Sequence, residues 1–440
     1  ALLIGIMSCV GLVALKRPFH KVMTGTLKPI LGYLMLAAGA GVIVSNLDPL
    51  GKMIEHGFHI TGVVPNNEAI VAVAQKVLGV ETMSILVVGL LMNLCIARFT
   101  KFKYVFLTGH HSLFMACLMS AVLGTAGLSG IELILVGGFL MGAWSAISPA
   151  IGQSYTSKVT DGDEIALGHF GSLGYYLSAW VAKYVGKAEE STEDIEIPEK
   201  WGFLRDSTLS TALTMIVFYL IAALAAGSEF VATLSGSMSP YLFAVMSAMN
   251  FAVGVAIVYS GVRMILGDLI PAFQGIATKI IPNAIPAVDC AVFFTYAPTA
   301  VVLGFISSFI GGIIGMLILG AVGGVLIIPG LVPHFFCGAT AGIYGNATGG
   351  RRGAAVGAFL NGLAITFLPA MALPVLGQLG FQNTTFGDAD FAVMGLVLGN
   401  AYEWVGMAGI YGIVAIAALV LIIPNFIKTK GKVINYVEEE

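Results

Sequence analysis

The chain has 440 residues, 58% hydrophobic and only 10% charged, with a mean hydropathy of +0.93 and a net charge of −3. An ordinary soluble chain carries about 25% charged residues, so a water-facing surface cannot be built around this one. A soluble globular enzyme, a nucleic-acid binder and a disordered chain are excluded, and the composition is that of an integral membrane protein whose partner is the lipid bilayer.

A helix crossing the hydrocarbon core needs about 20 mostly apolar residues. In chain order, candidate spans fall near 1–15, 22–46, 82–97, 105–123, 129–150, 207–227, 240–262, 298–320, 321–338, 354–376 and 395–425. The first is read as a helix entered partway, without the n-region and cleavage site of a signal peptide. Segments 65–81 and 283–297 are too short to cross and too apolar for solvated loops, and each follows an amphipathic stretch, 48–63 or 264–281. They are read as re-entrant segments, which membranes tolerate only where protein or a watery cavity receives the backbone. The five cysteines lie in apolar stretches with no CxxC pair or metal spacing, so neither disulfides nor a metal site is expected. The GxxxxGK(S/T) phosphate loop is absent, and no cofactor is expected.

Charge sets the expected orientation. With Lys16, Arg17 and Lys21 in the cytoplasm, eleven crossings bring all of the 21 basic residues inside except Lys52 and Lys76. The positive-inside rule then gives an outside N-terminus and an inside C-terminus.

The order of elements repeats. Two spans, an amphipathic stretch, a re-entrant segment and three spans fill 1–150, and the same series fills 207–376. Five is odd, so the second copy is inverted. The expected fold is an all-α polytopic membrane protein of about eleven transmembrane helices: a 5+5 inverted repeat plus one, with two re-entrant segments. Residues 151–206 form an amphipathic and acidic cytoplasmic linker, and 377–440 a final span and cytoplasmic tail. Inverted repeats with broken helices meeting near the midplane favour a transporter over a channel, and an elevator-like movement between two mirror-related arrangements. In the linker, the acidic run from Glu189 to Glu199 is read as a solvated face.

Polar groups within spans are costly and need a reason. Asp289 stands in the apolar run AVDCAVFF, as a hydroxyl acceptor, a proton site or a buried anchor. His110 and His111 follow Thr108-Gly109, and adjacent helical residues point about 100° apart, so only one faces a given site. His169, in LGHF, is another cavity candidate. Asn67 and Glu68, at the tip of the first re-entrant segment, bind hydroxyls or cap a helix. His334 is read as a structural histidine at least as readily as a ligand. On these residues alone, an ion-coupled carrier of a small polyol or organic anion, or a membrane-embedded enzyme, stays open.

The runs LTGHH (107–111), VTDGDEIALGH (159–169), KAEESTEDIEIP (187–198), AFQGIATKIIPNAIPAVDCA (272–291) and LIIPGLVPHFF (326–336) occur in order along the chain. Together the sequence resembles the ascorbate-specific membrane component (IIC, the UlaA family) of the bacterial phosphoenolpyruvate-dependent phosphotransferase system. The resemblance implies a homodimer in the bacterial inner membrane, each protomer split into a core domain and a V-shaped scaffold domain. It implies uptake of L-ascorbate (vitamin C) coupled to phosphorylation by a separate IIB subunit, whose phosphocysteine is recharged by IIA. The chain itself is then no enzyme. Family ligand positions fall on Asn67, Glu68, His110, His111, Ser112, Leu113, Phe114, His169, Phe170 and Asp289. Some members carry Gln where this chain has Phe114 and Phe170. An aromatic ring packs on a flat lactone but donates nothing to its oxygens.

Overall fold

The computed structural model describes residues 1–59, 62–65, 67–195, 207–377 and 384–426. Its helices are α1 (Leu2–Ala14), α2 (Phe19–Phe58), α3 (Asn67–Phe99), α4 (Gly109–Thr125), α5 (Gly130–Thr160), α6 (Ser172–Val185), α7 (Ser207–Ala226), α8 (Ser228–Ser235), α9 (Pro240–Lys279), α10 (Pro298–Ala321), α11 (Leu331–Gly377), α12 (Ala389–Val405) and α13 (Met407–Ile422). Five very short strands join them: β1 (Val64–Pro65), β2 (Tyr104–Phe106), β3 (Ala166–Leu167), β4 (Ile285–Val288) and β5 (Thr384–Thr385).

Among the described residues, seven helices are long and apolar enough to cross a membrane, or eight with the bent pair of α7 and α8. The chain is a mostly helical, multi-pass membrane protein. Several sequence expectations are corrected in detail. The segment 65–81 is not a separate re-entrant piece: after Pro65 the chain enters α3 and runs as one helix to Phe99. The amphipathic stretches 48–63 and 264–281 are largely the ends of the 40-residue helices α2 and α9, not separate interfacial elements. A span at 321–338 is interrupted, because residues 322–330 are not helical and α11 starts at Leu331. High hydropathy misled there: Val325, Leu326, Ile327 and Ile328 serve a non-helical connection whose Ile327 bridges Val63. The span at 395–425 is two helices parted at Gly406.

Segment 283–297 is non-helical as expected, made of β4 and a 3-10 turn (Cys290–Thr295) that are almost fully buried. The expected linker also differs. Its first ten residues end α5, and α6 buries Tyr175, Tyr176, Ala179 and Ala182 along α11. Of the acidic run, Glu196 and Glu199 lie outside the described residues. Glu193 accepts hydrogen bonds from the backbone N–H groups of Thr299 (3.0 Å) and Ala300 (3.1 Å), capping α10. Glu190 lies 4.0 Å from Arg351. This stretch is anchored to its neighbours.

The helices form two groups. In the first, α1, α2, α7 and α9 pack on one another. There α2 and α9 approach backbone to backbone: a Cβ on Gly32 would stand 2.8 Å from the Gly261 carbonyl oxygen, and one on Gly39 2.8 Å from that of Gly254. Side chains larger than hydrogen would force these helices apart, as at small-residue contacts within membranes. In the second group, α3, α4 and α5 pack together, and α11 gathers α6, α10 and α12. Inside α11, Gly349 and Gly350 break the helix, Gly350 at a φ of 58° that favours glycine. The two groups meet where α9 touches β4 and the 3-10 turn, where α2 touches α11 and where α7 touches α10.

Two small parallel sheets cross-link the chain. β4 lies between β2 and β3, while β1 pairs with β5 and is bridged beside Val63 by Ile327. The central strand β4 comes from the opposite half of the chain from β2 and β3, and β5 from the opposite half from β1.

Candidate functional site

Because β2, β4 and β3 are parallel, their carboxyl ends lie on one edge, and that edge carries the predicted residues. Thr108, Gly109 and His110 follow β2, Asp289 follows β4 directly, and Gly168 and His169 follow β3. The register is held by Leu107 N–H donating to Ala287 O (2.9 Å) and Gly168 N–H to Val288 O (2.7 Å). At Gly168 the approach is so close that a Cβ would meet the Ala287 carbonyl oxygen at 2.4 Å. Crevices beyond the carboxyl ends of parallel strands are a recurrent place for ligands in α/β proteins; here three short strands reproduce that geometry among helices.

His110 Nε2 lies 3.3 Å from Asp289 Oδ2, and its Nδ1 lies 3.3 Å from the Tyr33 hydroxyl. Asp289 also accepts from Ala291 N–H (3.3 Å) and so caps the 3-10 turn. The Asp289 side chain is 9% exposed and that of His110 42%, so the histidine is the accessible member of the pair. Beside Asp289, a cavity of about 10 Å³, room for one water, separates Ile4, Tyr33, Leu36 and Ile265 from Leu107, Thr108, Val288 and Val292.

His111 and His169 are buried, with ring centroids 3.7 Å apart. His111 Nδ1 accepts from Phe170 N–H (3.3 Å), and His169 Nδ1 accepts from Gly171 N–H (3.1 Å). A backbone amide only donates, so in each neutral ring the proton stands on Nε2. His111, His169 and Asp388 lie close enough to share a metal, as do His169, Asp289 and Cys290. The lone pairs on Nδ1 are taken by backbone amides and Nε2 carries hydrogen, so these rings offer N–H donors instead of metal ligands. Donors from histidine beside carboxylate acceptors suit a ligand rich in hydroxyl groups.

The sequence reading missed a second cluster. Asp388, the N-cap residue of α12, accepts from Cys337 Sγ (2.9 Å) and from the side-chain amide of Asn67, and its Oδ1 lies 3.8 Å from His169 Nδ1. Asn67 Oδ1 accepts from Gly387 N–H (2.9 Å). The Tyr175 hydroxyl lies 2.9 Å from His169 Nδ1. Asp390, fully buried, accepts from Ser172 Oγ (2.7 Å), Leu173 N–H (2.9 Å) and Trp144 Nε1 (3.1 Å). In return Asp390 N–H donates to Phe170 O (2.9 Å), so α6 and α12 meet tip to tip. The signal was present: GDAD at 387–390 sets two carboxylates before an apolar helix, and buried carboxylates need a reason.

The remaining predicted residues fall into place unequally. Ser112 donates to Thr108 O (3.2 Å) in its own helix, and Leu113 packs against the core. The Phe114 ring stands edge-on to His110. Phe170 is fully buried with its ring stacked on Phe106 at 4.6 Å, so it contributes backbone groups here instead of a ring face. The Glu68 side chain lies outside the described residues. His334 is buried, with Nδ1 2.9 Å from Ser308 Oγ, as a structural histidine would be.

The sequence was compared with known families. The model of EIIC-GAT, the PTS system sugar-specific permease component, matches residues 1–390. The chain belongs to this permease family. It is also 26% identical to the ascorbate-specific PTS system EIIC component of Mycoplasma pneumoniae, over 92% of this chain and 69% of that protein. As a permease of the phosphotransferase system (PTS), it is a transport subunit that works with IIB subunits on a sugar substrate. Residues 1–390 take in both of the clusters described above.

Proposed function

We propose that this protein carries L-ascorbate across the bacterial inner membrane and delivers it for phosphorylation by a separate IIB subunit. The observation that carries the reading is the His110–Asp289 pair at the strand ends, backed by the buried histidines His111 and His169. Ascorbate is a monoanionic enediol lactone: histidine N–H groups donate to its oxygens, and Asp289 accepts from a hydroxyl. The relative named for ascorbate supports this choice among sugars. Phosphorylation inside the cell adds charge and removes the free substrate, so uptake becomes one-way without a coupling ion. The phosphoryl group comes from the IIB phosphocysteine, recharged by IIA.

The packing of the helices in two groups supports a movement of one against the other. The group holding the strand ends is the substrate-bearing core, and α1, α2, α7 and α9 are the scaffold, which also forms the homodimer. The core slides against the scaffold in elevator fashion, with the N-terminus outside and the C-terminus in the cytoplasm. The element order supports an inverted repeat that runs further than 1–150 and 207–376: each half also ends in a short strand followed by a short helix, β3–α6 and β5–α12. Measuring uptake in cells with and without a phosphorylatable IIB tests the reading, together with binding of ascorbate against galactitol. Ascorbate accumulation that persists without IIB and follows an ion gradient would favour an ion-coupled carrier and sink the proposal.

A further inference from the structure

The Tyr33 hydroxyl is the point at which α2 reaches the strand ends. Its partner, His110, has both ring nitrogens engaged, Nδ1 with Tyr33 and Nε2 with Asp289. A carboxylate only accepts, so Nε2 carries the proton; in the neutral ring Nδ1 then keeps its lone pair and the Tyr33 O–H donates. The bonds therefore run in one direction: Tyr33 to His110, His110 to Asp289, with Ala291 N–H donating to the other carboxylate oxygen. With room for only about one water beside Asp289, the aligned groups close this part of the site.

We propose that Tyr33 is a positioning residue that fixes the orientation of His110 and thereby latches α2 to the strand ends. A hydroxyl-bearing ligand that takes the His110 Nε2–H or the Asp289 oxygen must break into this chain of bonds, and so loosens the tie between α2 and the strand ends. Site occupancy is thus communicated to the neighbouring helices by one hydroxyl. The inference deepens the ligand-site reading above, but its test needs no ligand.

Val292 is 2% exposed and lines the cavity opposite Tyr33, so a Val292→Cys reporter reads opening of that seam. In full-length protein in nanodiscs, its alkylation by N-ethylmaleimide is followed by peptide mass spectrometry. Cys117, fully buried in α4, reports general loosening. Loss of one neutral hydrogen bond is worth roughly a 2- to 12-fold change in an opening equilibrium. Tyr33→Phe should speed labelling at position 292 by about that factor and leave Cys117 unchanged. His110→Ala, which also removes the bond to Asp289, should speed labelling by at least as much, and Tyr33→Phe should add nothing in that background, because its partner is already gone. An unchanged rate in Tyr33→Phe, a full additional effect in the His110→Ala background, or a parallel rise at Cys117 would overturn the latch. Since the reagent reads the unliganded protein, failure of ascorbate binding would count against the proposed substrate and leave this result standing.

Discussion

Asp289 and Phe170 stand at neighbouring strand ends, and their substitution should have opposite consequences. Asp289→Asn keeps the acceptor that caps the 3-10 turn but removes the charge facing His110. A charge-assisted hydrogen bond is worth about 1.5–3 kcal/mol, so ligand affinity should fall roughly 10- to 150-fold with the melting temperature nearly unchanged. His110→Ala should behave alike; calorimetric titration with ascorbate checks both. Phe170→Ala instead empties a fully buried position stacked on Phe106 and should cost about 3–5 kcal/mol of stability. A thermal melt that leaves Phe170→Ala as stable as the parent would refute its core role. One rule found Asp289 in the sequence: a carboxylate in an apolar run demands a partner. Asp388 and Asp390 obey the same rule but went unseen, because the polar TTFGDAD run that holds them reads as a loop between spans.

At the scale of elements, the short helices α6 and α12 depend on each other. Asp390 belongs to α12 yet satisfies the Leu173 N–H of the first turn of α6, together with Ser172 and Trp144. Asp390→Ala leaves three donors unpaired, the Ser172 hydroxyl buried and those of Leu173 and Trp144 half-buried, at up to about 1–3 kcal/mol each if none rearranges. It should therefore lower the melting temperature far more than Ser172→Ala, which removes one bond. Equal melting shifts for the two would show that the carboxylate does not join the helices. A similar cap made from a distance joins Glu193 to α10, and Glu193→Ala should cost about 0.5–2 kcal/mol, the usual value of an N-cap. Hydropathy made the long helices legible because their apolar runs exceed a bilayer's width. It showed α6 only as an amphipathic part of the linker, because its apolar face is buried along α11, and it could not reveal the strands, which are too short for any alternation to register.

At the scale of the molecule, the division into two helix groups predicts where motion can be stopped. Leu36 of α2 and Val292 of the 3-10 turn line the same cavity from opposite sides. A crosslink between cysteines at these positions should abolish uptake and preserve ligand binding from one side of the membrane. Full uptake by the crosslinked protein would exclude sliding along this seam. The expected recurrence of element order rests on spans and breaks, which leave a coarse hydropathy record. Which half supplies which strand was hidden, since pairing over more than two hundred residues, as between β1 and β5, leaves no local trace.

That pairing of strands from opposite halves of the chain bears on how the protein is made. β4 completes the sheet of β2 and β3, yet it leaves the ribosome more than a hundred residues after β3. At about 5–20 residues per second, the earlier strands wait on the order of ten seconds with their edges unpaired. β1 waits longer still for β5. The first half, while its strand edges stay unpaired, should therefore be exposed to quality-control proteases until its counterpart arrives. Residues 1–195 expressed alone should be degraded quickly, as should 207–440. Produced together in one cell, the two fragments should protect each other and restore ligand binding, which pulse-chase labelling and a binding assay on the co-purified pair would reveal.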